Sequence, residues 1–273
     1  MLADKFFDVL NIQDNNEKAD IIQSLMGSNC LGSYCNNGTV KLYFKGGLRN
    51  RIESQLKEIN TAIPFKWKWE KQNKENWHLT WQDNFQPVII DEKLAVIPYW
   101  QNNSPEDVVI KIKPGMAFGT GHHETTWLML SQILKYIKPG MSILDLGAGS
   151  GILSIAAIKL GAGKVDAVEF DKECEPNFYE NLGLNEITED IQFHRRDVLN
   201  WTKLDHDLIL ANINLNVIEK LIPKLKVSKS KILLSGLLET DYEAIEILCQ
   251  RHQFQIIEKV IKEGWICIFI NIL

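Results

Sequence analysis

Three glycines at alternate positions follow an apolar stretch that contains one acid. The segment is ILDLGAGSG, residues 143–151, with the acid at Asp145 and the glycines at Gly147, Gly149 and Gly151. Glycine lets a backbone turn sharply and approach a ligand closely. The helix expected directly afterwards offers unpaired backbone N–H groups at its start. The pattern therefore predicts a ligand-binding loop between a strand and a helix.

Two common phosphate-binding loops do not fit this segment. A P-loop ends in Gly-Lys-Ser/Thr, whereas this loop continues Gly-Ile-Leu. The dinucleotide fingerprint GxGxxG requires a glycine at position 152, which is Ile152. The remaining pattern, DxGxGxG, is typical of S-adenosylmethionine sites. In such a site the glycines face an amino acid and a ribose, and the acid binds the ligand's ammonium through a charge-assisted hydrogen bond.

Polar side chains end three further predicted strands. Glu169 lies at the end of KVDAVEF, and its carboxylate is placed to accept hydrogen bonds from both ribose hydroxyls. Asp197 closes FHRRDV, where it either accepts from an adenine amino group or caps a turn; we favour the ligand role. Asn212 ends LILAN, where amine methyltransferases commonly place an acceptor oxygen that orients the nucleophile's lone pair. The continuation Ile-Asn-Leu-Asn argues against the nucleic-acid amino-methyltransferases, which often have Pro-Pro-Tyr there.

Adjacent histidines in FGTGHHETT, residues 118–126, first suggest a metal site. A zinc-protease HExxH motif would need its second histidine at position 127, which is Trp127. Neighbouring side chains such as His122 and His123 point in different directions on a helix, so joint ligation is poor. We therefore expect no metal here.

The same stretch predicts a loop that leads into a helix. Thr120 is a candidate N-cap, and Glu124 then falls in the first helical turn, where negative charge is favourable. The stretch is interpreted as a lid over the reacting methyl group, with Phe118 and His123 as the lid candidates.

Strands and helices alternate from residue 114 onward. Continuous apolar strands such as KILLSGLL indicate a parallel sheet that is covered on both faces. FQIIEKVIKEG and WICIFIN predict a terminal antiparallel hairpin. Together these elements predict one doubly wound α/β sheet of about seven strands, and ligands of such sheets bind at the carboxyl ends of the strands. The predicted domain spans residues 114–273.

Residues 1–70 predict a small α+β domain. The predicted elements follow in the order β-α-β-β-α-β, which is the ferredoxin-like arrangement. The two helices are predicted at 15–29 and 48–60, and the turn of the hairpin at Asn37-Gly38. We interpret it as a binding or scaffolding module.

A connector and hinge is predicted over residues 71–113. Five of the eight tryptophans fall between Trp67 and Trp100. These rings could form an aromatic cage for a methylated or cationic amine. We favour packing between the two domains, because aromatic side chains mostly serve burial.

The composition of the chain limits the classes of partner and the cellular location that we expect. Residues 114–273 hold 16 basic against 21 acidic residues and carry most of the net charge of −5. An acidic domain fits a small cofactor or a basic protein substrate better than a nucleic acid. No apolar run reaches the roughly 18 residues of a membrane span, and the start of the chain turns polar too early for a signal peptide. Five scattered cysteines predict reduced thiols in the cytoplasm, and nothing demands more than a monomer.

Four segments taken together resemble the ribosomal protein L-11 methyltransferase family (PrmA). They are NWHLTWQDNFQPVII, PGMAFGTGHHETT, DLGAGSGILSIAAIKLGA and LILANI. The resemblance covers residues 75–273 in order and at matching spacing, but in residues 1–70 it extends only to the order of the elements. It implies a Rossmann-like class I methyltransferase that uses S-adenosylmethionine, with a small N-terminal domain that grips the substrate. The implied substrate is ribosomal protein L-11, methylated on lysine and N-terminal amines.

Specific residues follow from that resemblance. The implied cofactor contacts are Thr126, Gly147, Glu169 and Asn212. The chain departs from the family where it has Gly-His-His-Glu-Thr-Thr in place of Gly-Thr-His-Pro-Thr-Thr. It also departs at Glu169, since the family's ribose acid is usually Asp. A glutamate keeps both acceptor oxygens, so we expect the function to survive.

Two alternatives share the cofactor half of this pattern. One is a methyltransferase that acts on another protein, an RNA or a small-molecule amine. The other is a non-catalytic binding module that keeps the fold, which the intact set of candidate residues disfavours. For the favoured reaction we expect direct methyl transfer to an amine that Asn212 orients, with no dedicated base.

Overall fold

The structure is a computed structural model in which two compact units are distinguished, residues 1–85 and 86–273. The described residues are 6–13, 30–36, 39–45, 47–62, 64–73, 86–102, 104–113 and 118–273. The helix predicted over 15–29 and the turn predicted at Asn37-Gly38 lie outside these residues.

The first unit contains a four-stranded antiparallel sheet and one described helix. Its elements are β1 (Phe6–Gln13), β2 (Cys30–Asn36), β3 (Thr39–Lys45), α1 (Arg49–Ala62) and β4 (Lys66–Asn73). The strand order is β2-β3-β1-β4, which is consistent with the ferredoxin-like prediction.

Helix α1 covers this sheet because its apolar residues recur at helical spacing. Ile52 and Leu56 are buried in the same cluster as Leu10, Leu42 and Phe44 of the strands.

Two of the five tryptophans between Trp67 and Trp100 pack within the first unit. The indole N–H groups of Trp67 and Trp69 donate to Glu53 Oε2 at 3.2 and 2.5 Å. Their rings border the cluster under α1. These contacts account for both rings inside one unit, so no aromatic cage is needed to explain them.

The second unit begins with a three-stranded sheet. It consists of β5 (Val88–Ile90), β6 (Leu94–Pro98) and β7 (Val108–Ile112). Strands β5 and β6 are antiparallel, and β6 and β7 are parallel. The second half of the predicted connector is thus ordered structure inside the second unit, and its role as a hinge stays a prediction.

The main sheet has seven strands in the order β10-β9-β8-β11-β12-β14-β13. Strands β8 to β12 are parallel and β14 is antiparallel to both of its neighbours. This arrangement confirms the predicted doubly wound sheet with a terminal hairpin. The strands are β8 (Ser142–Leu146), β9 (Lys164–Glu169), β10 (Ile191–Arg195), β11 (Leu208–Asn212), β12 (Lys231–Leu238), β13 (Phe254–Lys262) and β14 (Trp265–Ile272).

Five helices cover the two faces of this sheet. They are α2 (Glu124–Tyr136), α3 (Ile152–Lys159), α4 (Glu175–Leu184), α5 (Leu215–Leu225) and α6 (Tyr242–Arg251). Helices α2, α3 and α4 pack on one face and α5 and α6 on the other.

Strand β8 shows why apolar residues occur on both faces of a buried strand. Ile143 belongs to the core on one face, whereas Leu144 and Leu146 belong to the core on the other. Among the residues that the structure describes, no helix is long and apolar enough to cross a membrane.

A buried carboxylate ties together the part of the sheet near the amino ends of its strands. Asp166, third in β9, accepts hydrogen bonds from His194 Nε2 at 2.6 Å, His206 Nε2 at 2.8 Å and Lys203 Nζ at 2.8 Å. Burial alone would raise the pKa of Asp166, but bonds from the three partners hold it well below its usual range. The cluster therefore joins β9, β10 and residues 203–206.

Replacing this carboxylate should cost stability in a pH-dependent way. At pH 7 we expect Asp166→Asn to lower the free energy of unfolding by about 2 kcal/mol, the scale of one hydrogen bond to a charged group. The folded pKa lies below the unfolded one, so the stabilisation is present above about pH 4 and is lost as the pH falls toward the folded value. Urea unfolding at several pH values measures the difference.

The exposed neighbour Asp205 supplies the control. Asp205→Asn should change the free energy of unfolding by less than about 0.5 kcal/mol. A difference between wild type and Asp166→Asn that stays constant from pH 7 to pH 3 would contradict the electrostatic account.

Candidate active site

The glycine loop directly follows β8 and adopts backbone conformations that favour glycine. Gly149 has φ +52°, and a Cβ at this position would lie 2.7 Å from the carbonyl oxygen of Phe118. Gly151 has φ +83° and is the N-cap of α3. The absence of side chains therefore lets another backbone segment cross directly over this loop.

Asp145 lies under the loop as a fully buried carboxyl group. Its Oδ2 accepts a hydrogen bond from Ser154 Oγ at 2.6 Å, and its Oδ1 has no partner among the described residues. The pKa of Asp145 is raised to about 6, mainly by burial; the bond from Ser154 lowers it and the negative charge of Glu169 raises it. A cation placed against Oδ1 would stabilise the ionised form.

Glu169, at the end of β9, is held by three backbone N–H groups. Its Oε1 accepts from Phe170 and Asp171, both at 2.8 Å, and its Oε2 accepts from Gly149 at 3.1 Å. An ionised carboxylate offers about four acceptor positions, so these bonds orient it and use most of its capacity. The bond to Gly149 joins β9 to the glycine loop, a structural role that the sequence did not indicate.

Two more buried polar atoms lie on neighbouring elements. Asn212 Oδ1, at the end of β11, and Thr126 Oγ1, in the first turn of α2, have no hydrogen-bond partner in the described parts of the chain. Strand β11 pairs with β8, and α2 packs across β11 and β12. Native proteins seldom leave buried polar atoms unpaired. Asp145 Oδ1, Asn212 Oδ1 and Thr126 Oγ1 therefore keep hydrogen-bonding capacity that suits a polar ligand such as S-adenosylmethionine.

The lid segment contacts the glycine loop through main-chain hydrogen bonds. Ser150 N donates to Phe118 O at 2.9 Å, and Ser150 Oγ donates to Gly119 O at 2.5 Å. The Phe118 side chain itself is 50% exposed. The lid candidate is therefore anchored by its backbone, while its ring is available to a ligand.

A row of rings continues from Phe118. The centroids of Phe118 and His123 are 5.3 Å apart, and those of His123 and Trp265 are 4.9 Å apart, with both pairs edge to face. The structure thus places both lid candidates together. Trp265, the first residue of β14, was missed because only the sheet topology brings it here and no local motif marks it.

His123 is the N-cap of α2. Its Nδ1 accepts from the backbone N–H of Thr125 at 3.2 Å. The prediction that Thr120 caps this helix was wrong, because the imidazole nitrogen supplies the acceptor three residues later. Glu124 lies in the first turn, as predicted.

The paired histidines diverge. His122 Nε2 lies 3.0 Å from the carbonyl oxygen of Gln86, whereas His123 contacts α2 and the aromatic row. Within the described parts of the chain, no group of three or more His, Cys, Asp or Glu side chains is arranged to hold a metal ion.

Asp197 lies beyond the end of its strand. Strand β10 ends at Arg195, and Asp197 caps the short 3₁₀ helix Val198–Asn200 by accepting from Leu199 N at 2.9 Å. The structure therefore realises the turn-capping alternative. A contact between Asp197 and an adenine ring stays a prediction.

Comparisons with known proteins agree with one another. The family model described as ribosomal protein L11 methyltransferase (PrmA) matches residues 8–272. The ribosomal protein L11 methyltransferase of Desulfitobacterium hafniense is 36% identical over 227 residues, which cover 79% of this chain and 72% of that protein. The one from Limosilactobacillus fermentum is 34% identical over 203 residues, which cover 72% and 63%.

A solved structure is also similar. The crystal structure of ribosomal protein L11 methylase from Lactobacillus delbrueckii subsp. bulgaricus matches with a TM-score of 0.64 and 33% identity. The match covers 68% of this chain and 98% of that chain.

The close approach at Gly149 generates a stability prediction. Gly149→Ala should destabilise the protein by about 1–3 kcal/mol more than strain alone, because the new Cβ collides with the Phe118 carbonyl. Gly140→Ala is the matched control: Gly140 has φ +83°, and a Cβ added there would meet nothing within 4 Å. Strain in the left-handed region should cost both variants about 1–2 kcal/mol. Equal losses of unfolding free energy in Gly149→Ala and Gly140→Ala, measured by urea unfolding, would contradict a close approach of Phe118 to Gly149.

Proposed function

The chain belongs to the ribosomal protein L11 methyltransferase (PrmA) family, and from that premise we propose that it methylates ribosomal protein L11. The proposed reaction transfers methyl groups from S-adenosylmethionine to lysine side-chain and N-terminal amines. The observation that carries it is the set of three buried polar atoms on Asp145, Asn212 and Thr126 that lack partners among the described residues. Asp145 and Asn212 lie near the carboxyl ends of the paired strands β8 and β11, where parallel α/β sheets bind their ligands.

The proposed cofactor contacts divide among the strand ends. Asp145 would bind the ammonium group, the glycine loop would admit the ligand close to its backbone, and Thr126 would face the methionine end. Glu169 and Asp197 are proposed for the ribose and the adenine. When bound, S-adenosylmethionine supplies an electrophilic methyl group on a sulfonium, so the protein's task is mainly to position a neutral amine in line.

Asn212 is the proposed orienting residue for that amine. Its buried Oδ1 can accept a hydrogen bond from an amine N–H and so direct the nitrogen lone pair. A lysine amine is protonated in water, with a pKa of about 10.4, and desolvation favours its neutral form. His123 is a poor candidate for a base, because its Nδ1 already accepts from Thr125 N.

The aromatic row beside the lid suits such a substrate. Phe118, His123 and Trp265 present ring edges and faces at one side of the loop. An aromatic wall stabilises an amine that gains charge on methylation through cation–π attraction. We propose that the row borders the path of the substrate side chain.

The remaining aspects of the proposal concern setting and partners. We propose a cytoplasmic monomer that acts on protein and not on nucleic acid. The acidic balance of residues 114–273 supports this choice, because ribosomal proteins are basic partners and nucleic acids are acidic ones.

Mass spectrometry of reaction products tests the function directly. The wild-type chain is incubated with S-adenosylmethionine and either purified ribosomal protein L11 or ribosomal RNA. Mass increments of whole methyl groups are expected on L11 alone. Unmodified L11 beside methylated RNA would overturn the assignment.

Asn212→Ala should separate turnover from cofactor binding. We expect kcat to fall by about 100-fold, the scale of losing one positioned hydrogen-bonding group, while the Kd for S-adenosylmethionine changes only a few-fold. Asn216→Ala, at an exposed position of α5, is the control and should keep full activity. Full activity of Asn212→Ala would remove Asn212 from the mechanism.

The affinity for S-adenosylmethionine should depend on the ionisation of Asp145. With its pKa raised to about 6, we expect Kd to fall about tenfold from pH 5 to pH 7, while the ligand's α-amino group stays largely protonated. In the free protein the raised pKa has the opposite effect: its stabilising contribution is present at low pH and is lost as the pH rises through about 6.

Calorimetry at several pH values measures this dependence. Asp145→Asn should bind weakly and with a flat profile over the same range. A wild-type affinity that does not change between pH 5 and pH 7 would show that the ammonium group binds elsewhere.

A further inference from the structure

Three asparagines on one face of α4 line the open edge of β7. Asn177, Asn181 and Asn185 are spaced four residues apart along the helix. Strand β7 is an edge strand of its sheet and pairs with β6 on one side only. On its other side, the helix amides take the place of a neighbouring strand.

The hydrogen bonds follow a regular ladder. Asn185 accepts from Lys111 N at 2.9 Å and donates to Lys111 O at 2.6 Å. Asn181 accepts from Lys113 N at 2.8 Å, and Asn177 donates to Lys113 O at 2.9 Å. Four helical residues rise about 6 Å and two strand residues about 6.6 Å, so Asn185 and Asn181 match Lys111 and Lys113 in spacing.

Asn181 differs from the other two in its second bond. Its side chain is fully buried, and its Nδ2 donates to Ser150 O in the glycine loop at 2.8 Å. Ser150 in turn donates from its N–H to Phe118 O and from its hydroxyl to Gly119 O. Ser150 therefore accepts a hydrogen bond from Asn181 through its carbonyl and donates two hydrogen bonds to the backbone of the lid.

This connection joins Lys113, directly after β7, to Phe118, the first residue of the lid. Lys113 is tied to Ser150 through Asn181, and Phe118 is tied to Ser150 directly. Any shift of Ser150 would therefore move the glycine loop together with the lid backbone at Phe118 and Gly119.

We propose that Asn181 is a positioning residue for the methyl-transfer site, setting the glycine loop and the lid anchor as one unit. The inference rests on the proposed function, because its ligand is S-adenosylmethionine. An amide is required at this position because one side chain must accept from Lys113 N and donate to Ser150 O. An aspartate offers only acceptors, so it would face the Ser150 carbonyl with a second oxygen.

The test compares Asn181→Asp with Asn185→Asp. Each change removes an amide donor from the same helix face, but only the first removes a bond to the glycine loop. Asn181→Asp should raise the Kd for S-adenosylmethionine by about tenfold, which is the effect of losing one buried hydrogen bond. The KM for the cofactor should rise in parallel. Asn185→Asp should lower Tm about as much as Asn181→Asp does, but it should leave the Kd for S-adenosylmethionine within about twofold of the wild-type value.

Hydrogen exchange adds a readout that stability alone would not move. Peptides covering residues 118–126 and 147–152 should exchange faster in Asn181→Asp than in Asn185→Asp at matched global stability. If Asn181→Asp does not fold, Asn181→Ala decides, with Asn185→Ala as its control, because it removes both amide bonds without placing a second oxygen against Ser150 O. That variant should also raise the Kd for S-adenosylmethionine by about tenfold.

The outcomes separate the two proposals. A wild-type chain that binds S-adenosylmethionine, beside an Asn181→Asp variant with unchanged Kd, overturns the positioning role alone. Equal effects of Asn181→Asp and Asn185→Asp on Kd also overturn it, since the bond to Ser150 would then carry nothing specific. A wild-type chain that binds no S-adenosylmethionine in calorimetry overturns the proposed function and this inference with it.

Discussion

Burial of the main sheet on both faces is the constraint on which the rest of the second unit depends. Helices cover each face, so the interior of β8, β11 and β12 has to be apolar. Polar groups are then tolerated mainly where a strand ends and the backbone opens toward a loop. Glu169 and Asn212 end their strands, and Asp145 lies one residue before the end of β8. The position of the candidate site is thus a consequence of the core.

Two buried aspartates show how position separates structure from chemistry. Asp166, toward the amino end of β9, has three partners and a lowered pKa. Asp145, near the carboxyl end of β8, has a raised pKa and keeps one oxygen unpaired within the described chain. An unsatisfied buried group costs about 1–3 kcal/mol, and a bound cation would offset that cost at Asp145. Asp166 stabilises the sheet, whereas Asp145 is the carboxylate proposed to bind the cofactor's ammonium group.

The small sheet β5-β6-β7 is linked by hydrogen bonds to the glycine loop as well as packed into the core. Its apolar residues pack with α2 and α3, and its open edge is satisfied by the asparagines of α4. Through Asn181 and Ser150 that edge continues to the backbone of the lid. Part of the segment predicted as a connector is therefore bonded through α4 to the glycine loop. The side-chain amides of α4 make the hydrogen bonds to β7 that a neighbouring strand would otherwise make.

Sequence alone determined the parts of this protein that are encoded locally. Apolar periodicity predicted the doubly wound sheet of about seven strands, and the motifs of four segments indicated the family, because each of these features depends on residues within one or two elements. The place of the candidate site at the carboxyl edge of the sheet stays a prediction. Tertiary structure decided what depends on distant partners. His123 meets Trp265, Asn181 meets Lys113 and Ser150, and Glu169 accepts from Gly149. None of these pairs leaves a local pattern, since their residues come together only when the strands are paired in order and the helices pack on them.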